Sequence, residues 1–192
     1  MREDPIAWCA EWFAEAEKAE PINPTAMSVA TVDVYGHPAV RMVLMRGFDK
    51  NGVVFYTNTE SAKGDDFAHH PYAALCFYWK SLGRQLRISG VVELVTAQEA
   101  DDYFASRPHD SQIGAWASQQ SRELHSREYL IAEVERFTRQ YANIPVPRPP
   151  YWSGYRVKPE RVEFWEERPF RLHARTVFSW DGMQWVVSEL FP

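Results

Sequence analysis

Cysteine is almost missing from this chain: Cys9 and Cys76 stand alone, without CxxC spacing, so neither a disulfide framework nor a thiolate zinc centre is available. A reducing cytoplasm is the compartment this predicts. No apolar run reaches the roughly 20 residues needed to span a bilayer, and Met1-Arg2-Glu3-Asp4-Pro5 lacks the apolar core of a signal peptide. Long basic runs are absent too, and a formal net charge of -5 leaves no electrostatic footprint for a nucleic-acid backbone. Neither GxGxxG nor GxxxxGK[ST] occurs, which removes the common glycine-rich nucleotide cradles, and no GxSxG elbow supports a serine nucleophile. His69 and His70 are adjacent, a spacing that aims them apart on either a helix or a strand, so no metal site is expected.

Aromatic mass is plentiful instead. Eight tryptophans in 192 residues supply a sizeable core, and a single domain over 1–192 is the simplest organisation. Asp4 and Pro5 open a helix with Trp8, Trp12, Phe13 and Ala16 along one face. Strands are predicted over Met27 to Asp33, Val40 to Arg46 and Val53 to Thr57, with turns at Tyr35-Gly36-His37 and Asp49-Lys50-Asn51-Gly52. A helix over Ser61 to His70 stops at Pro71, and Ala73 to Trp79 and Gln85 to Leu94 form two further strands. Thr96 with Glu99 forms a capping box opening a helix through Tyr103 and Phe104, and Ser126 to Tyr141 is a longer amphipathic helix. The proline-rich stretch from Ile144 to Pro150 is an extended connection. Tyr155 to Phe164, Arg175 to Trp180 and Gln184 to Ser188 complete the strands, with Asp181-Gly182 as a hairpin turn. Short connections disfavour a doubly wound parallel sheet, so the expected fold is mainly β with helices (α+β), an antiparallel barrel.

Chemistry concentrates in Tyr103-Phe104-Ala105-Ser106-Arg107-Pro108-His109-Asp110-Ser111-Gln112-Ile113-Gly114-Ala115-Trp116 and the following Ser118-Gln119-Gln120-Ser121. A phenol, a guanidinium, hydroxyls and carboxamides so close together suit capture of a small anion, and they equally suit a polar helix surface with a turn. Arg41 and Arg46 bracket an apolar strand, and their spacing places them on opposite faces of an ideal strand, as solvated ends or as clamps for different partners. Lys63 lies where a helix N-terminus would add its field to the ammonium, a natural phosphate site if it is not simply exposed. Gln85 opens a strand with an amide that donates and accepts. Arg171, His173 and Arg175 share one face if extended, facing either an anion or the surface carboxylates Glu166 and Glu167, and Trp165 is core or a planar wall. Glu163, Glu166 and Glu167 are general-acid candidates without an evident reacting partner.

From about Pro24 to Pro192 these stretches resemble, in order, the pyridoxine 5'-phosphate oxidase family: Arg41-Met42-Val43-Leu44-Met45-Arg46-Gly47-Phe48-Asp49, Val54-Phe55-Tyr56-Thr57-Asn58, Ser61-Ala62-Lys63-Gly64, Phe77-Tyr78-Trp79, Arg84-Gln85, the SRP segment, Trp152-Ser153-Gly154-Tyr155-Arg156-Val157, Val162-Glu163-Phe164-Trp165 and Arg171-Leu172-His173. The resemblance implies an FMN-binding split β-barrel that works as a cytoplasmic homodimer with FMN in the interface. It implies that Arg41 and Lys63 bind the FMN phosphate, that Met42, Val43, Leu44, Tyr56 and Thr57 line the cofactor, and that Gln85, Gln120, Ser121, Trp165 and Arg175 meet its ring or ribityl chain, some from a second subunit. Arg46, Tyr103, Arg107 and Ser111 would hold the substrate phosphate, with Arg171 and His173 covering the pyridine ring as the catalytic pair. The implied reaction oxidises pyridoxine or pyridoxamine 5'-phosphate to pyridoxal 5'-phosphate, with O2 as acceptor and H2O2 as product. No nucleic-acid or membrane partner is implied.

Departures from the family pattern keep two other functions open. Arg46 stands where a lysine is usual, Ala62 replaces a common arginine, Ala174 replaces an aspartate, Glu189 interrupts the usual Arg-Leu-x-Pro ending, and the N-terminal segment reads as shortened. A noncatalytic flavin- or pyridoxal-phosphate-binding protein, or a flavin oxidoreductase acting on another small anion, would share the same scaffold.

Overall fold

The computed structural model describes residues 3–192; Met1 and Arg2 of the leading segment lie outside the described residues. Helix α1 (Pro5–Ala19) starts where Asp4 accepts the Ile6 N–H at 2.8 Å. Strands β1 (Ala26–Val32), β2 (Pro38–Leu44), β3 (Gly47–Asp49) and β4 (Gly52–Asn58) follow, then α2 (Ala62–His69), β5 (Tyr72–Trp79) and β6 (Arg84–Leu94). Helices α3 (Ala97–Ser106), α4 (His109–Ala117) and α5 (Arg127–Gln140) precede β7 (Trp152–Glu166), β8 (Ala174–Trp180) and β9 (Trp185–Glu189).

The strands form one antiparallel sheet in the order β2-β1-β5-β6-β7-β4-β3, with β8 and β9 continuing from the other half of β7. β7 makes this possible by length. Its first half, Trp152 to Val157, pairs with β4, and its second half, Arg161 to Glu166, pairs with β8, while β6 runs along nearly all of it. The register shifts after Ser89, where Gly90 passes so close to Lys158 that a Cβ would sit 1.7 Å from its carbonyl oxygen. That irregularity bends the sheet.

Alternation on β5 and β6 sends Leu75, Phe77, Trp79, Leu86 and Ile88 inward, and α1 closes over them. Trp8 stacks on Phe164 with ring centres 3.8 Å apart, and Trp12 packs edge-on at 4.9 Å. A second core of Phe104, Ile113, Phe137, Tyr141 and Trp152 lies beneath α3, α4 and α5.

Three sequence expectations change. β2 ends at Leu44, before Arg46, because Arg46 donates its N–H to the Val54 carbonyl and turns the chain into the short β3. β7 begins at Trp152 and not Tyr155, since β4 pairs with it there. Residues Pro169–Arg171 form a 3-10 turn with Phe170 and Arg171 left-handed, so Arg171 is not part of an extended face with His173 and Arg175. No helix among the described residues is long and apolar enough to cross a membrane.

Candidate active site

A cavity of about 690 Å³ opens where β2 and β4 face the α3–α4 corner. Its wall carries four cations, Arg41, Arg46, Lys63 and Arg107, and no carboxylate. They fall into two neighbouring pairs.

Lys63 is buried in the first turn of α2. Its Nζ donates to Thr57 Oγ1 and Ser61 Oγ, both at 3.0 Å, and to Gln120 Oε1 at 2.6 Å. Ser61, at the N-cap, makes no side-chain cap, and its hydroxyl donates to the Asn58 carbonyl, so the helix dipole and its leading N–H groups share the region with the ammonium. Burial, aided by the charge of Arg41 and opposed by Asp66, pushes Lys63 down to about 8. Arg41 completes the pair, its Nη1 donating to Thr31 Oγ1 at 2.6 Å.

The second pair is Arg46 with Arg107. Pro108 excludes helical backbone at Arg107, which ends α3 with φ -75° and ψ 148°. Gln112 Nε2 then donates to the Phe104 and Ala105 carbonyls, satisfying the end of α3 and fixing the corner. Thus the SRP segment divides between two helices, and Gln112 serves the fold. Arg107 lies over the Trp152 ring at 4.7 Å, and its buried Nη1 has no hydrogen-bond partner among the described residues. Burial first, then Arg46, disfavours its charge, with Tyr103 opposing. Two guanidiniums without a carboxylate call for an anion between them.

Stacked aromatic rings line the same cavity. Tyr56 stacks on Tyr103 at 3.9 Å, and Trp152 lies parallel to both. A Cβ on Gly154 would come within 2.8 Å of the Tyr56 ring, so only glycine leaves that ring its seat.

The cavity therefore gathers Arg41, Met42, Val43 and Leu44 from the β2 region, then Arg46, Tyr56, Thr57 and Lys63. Tyr103, Arg107, Ser111 and Gln120 join them. Arg41 and Arg46 thus share one cavity, contrary to the opposite-face expectation, because the strand ends between them; they still sit in different cation pairs.

Six expected residues do not line it. Ser121, with φ 70°, lines a neighbouring cavity. Gln85, Trp165 and Arg175 form one cross-strand row over β6, β7 and β8. Arg175 donates from Nε and Nη2 to buried Glu163 at 2.8 and 2.6 Å, and Glu163, not Glu166 or Glu167, is its carboxylate. Arg171 is exposed, and His173 packs on Trp165 at 4.5 Å while its Nδ1 accepts the Arg168 N–H at 3.3 Å. Sequence reasoning missed Asn58, Gly114, Ala115, Ser118 and Trp152 as lining residues. All five lie inside stretches the sequence singles out, Gly114, Ala115 and Ser118 in the SRP segment and just after it, but which of their neighbours face the cavity follows only from the packing of α4 and the loop after it.

Comparison with known proteins gives this arrangement its context. A PhzG from Burkholderia lata, solved in complex with tetrahydrophenazine-1-carboxylic acid, matches with a TM-score of 0.95 at 32% identity, covering 100% of this chain and 94% of that one. A pyridoxamine 5'-phosphate oxidase-related, FMN-binding protein from Nostoc punctiforme matches in fold, with a TM-score of 0.78 at 19% identity over 100% of both chains. Fold and family profile together define a split-barrel protein of the oxidase class. The "Pyridoxamine 5'-phosphate oxidase" profile matches residues 13–141, and the "Pyridoxine 5'-phosphate oxidase C-terminal dimerisation region" matches 152–192. The pyridoxine/pyridoxamine 5'-phosphate oxidase of Azorhizobium caulinodans is 55% identical over 192 residues, which is 99% of this chain and 91% of that protein. The chain belongs to the pyridoxine/pyridoxamine 5'-phosphate oxidase family, and it is an enzyme.

Proposed function

We propose that this chain, as one domain over 1–192 and as a homodimer, holds FMN and oxidises pyridoxine or pyridoxamine 5'-phosphate to pyridoxal 5'-phosphate, with O2 reduced to H2O2. The observation that carries this reading is the pair of separate cation clusters in a cavity without a carboxylate. The donor set fits FMN: a dianionic phosphate suits Arg41, Lys63 and the start of α2, and the flat heterocycle suits the planar surfaces of the site. FMN, when bound, would accept the hydride equivalent and pass the electrons to O2.

The chain's own residues bind and orient. Arg107, with its unpartnered Nη1, would hold the substrate phosphate together with Arg46, Tyr103 and Ser111, anchoring the substrate by charge-assisted bonds remote from the reacting carbon. His173 accepts at Nδ1, which leaves Nε2 to carry the ring's proton toward the substrate. Arg171, His173, Gln85, Trp165, Arg175 and Ser121 would serve the site across the dimer, because none of them lines the cavity of its own chain.

Anaerobic titration tests the reading. Purified protein should be yellow, and either vitamer phosphate should bleach its flavin without oxygen. Flavin that stays oxidised with both would refute it. A second reading, a flavin oxidase for another small anion, draws on the planar forks of Arg46 and Arg107, which suit a carboxylate as well as a phosphate. Bleaching by a dihydroaromatic carboxylate and by neither vitamer would favour it.

A further inference from the structure

We infer that Asp66 and Thr31 are positioning residues for Arg41, a role that rests on the reading of Arg41 and Lys63 as the FMN-phosphate pair. Neither Asp66 nor Thr31 lines the cavity, yet both are buried, at 8% and 1% exposure. A buried carboxylate and a buried hydroxyl need partners, and the partners here form a directed chain. Arg41 Nη1 donates to Thr31 Oγ1 at 2.6 Å, the Thr31 hydroxyl donates to Asp66 Oδ2, and Arg41 Nη2 lies 3.5 Å from the same oxygen.

A threonine hydroxyl has one proton to give, and Asp66 takes it, so the oxygen must present lone pairs to Arg41. The guanidinium is thereby held at one edge. Asp66 lies three residues after Lys63, about one turn along α2. One short helix therefore brings an ammonium into the cavity and anchors the neighbouring guanidinium from behind. It also joins β1, which carries Thr31, and β2, which carries Arg41. The carboxylate also offsets the repulsion between Arg41 and Lys63, being the influence that raises the Lys63 pKa against burial.

A purely structural salt bridge would make the same contacts, and the two roles separate in the ligand affinity of single and double variants. Flavin-stripped full-length protein would be titrated with FMN and followed by flavin fluorescence, for Asp66→Asn, Thr31→Val, Arg41→Ala and the two double variants containing Arg41→Ala. Asp66→Asn should weaken FMN binding about tenfold and Thr31→Val about threefold, but each by less than about twofold when Arg41 is already alanine. The same factor in both backgrounds, or no loss beside a clear loss in Arg41→Ala, overturns the proposal. Undiminished FMN binding by Arg41→Ala would overturn the phosphate reading itself. Should Asp66→Asn fail to fold, Thr31→Val decides by the same comparison, since it keeps both volume and the carboxylate.

Discussion

Lys63 is the residue whose environment makes the sharpest chemical demand. Its ammonium is buried, and that burial, with the charge of Arg41 beside it, pushes its pKa down to about 8, below the ordinary lysine range. Between that value and the ordinary one the unfolded chain binds more protons, so this group makes the free protein gain stability as pH rises through that window. A phosphate dianion has the opposite preference, since it favours the charged ammonium. FMN affinity should therefore hold up to about pH 8 and then weaken, by at most about tenfold per pH unit. Lys63→Arg should flatten the profile, because a guanidinium keeps its charge throughout. Fluorescence titrations from neutral to alkaline pH decide, and an unchanged alkaline loss in Lys63→Arg would show that another group is responsible. The candidate residue was legible in sequence through its place beside a helix start, and its burial was not. Burial arises from Thr57 on β4 and Gln120 beyond α4, contacts 6 and 57 residues away.

At the scale of elements, α2 carries the site and its seating depends on Gly64. A Cβ there would lie 1.9 Å from the Thr59 carbonyl oxygen, which is backbone and cannot swing aside. In an unconstrained helix Gly→Ala gains about 1 kcal/mol, whereas an overpacked contact costs about 1–3 kcal/mol. The clash is severe enough to win. Gly64→Ala should lower the denaturation midpoint and also weaken FMN retention, since α2 must shift and take Lys63 with it. Urea unfolding and FMN titration check both effects, and a stabilised variant with wild-type FMN affinity would refute this seating. Most elements were legible from local signals such as the Asp4 cap, the Thr96–Glu99 capping box and the β-rich composition of Ala73 to Trp79. Those signals act within a few residues. The three-residue β3, the early start of β7 and the left-handed turn at Phe170 and Arg171 are instead set by distant strand pairing and loop packing, so a window along the chain could not reveal them.

For the whole molecule, the distribution of residues is itself an argument for two copies acting together. Arg107 lines the cavity, while Arg171 and His173 lie beyond β7 in the stretch that matches the family's dimerisation region. Phe170, Leu172 and Phe191 in that same stretch are 92%, 66% and 93% exposed, apolar surface that a second copy would cover. If each site combines Arg107 of one chain with Arg171 of the other, Arg107→Ala and Arg171→Ala homodimers should both be nearly inactive. A mixed dimer, however, contains one site with both mutations and one with neither. Equal amounts of the two variants, dissociated and reassociated at random, make roughly half the dimers mixed, so activity should recover to about a quarter of wild type. Were the two arginines to act within one chain, every site would keep a defect and mixing would restore nothing. Steady-state oxidation of pyridoxine 5'-phosphate before and after subunit exchange separates these outcomes, with differently tagged chains confirming that mixed dimers have formed.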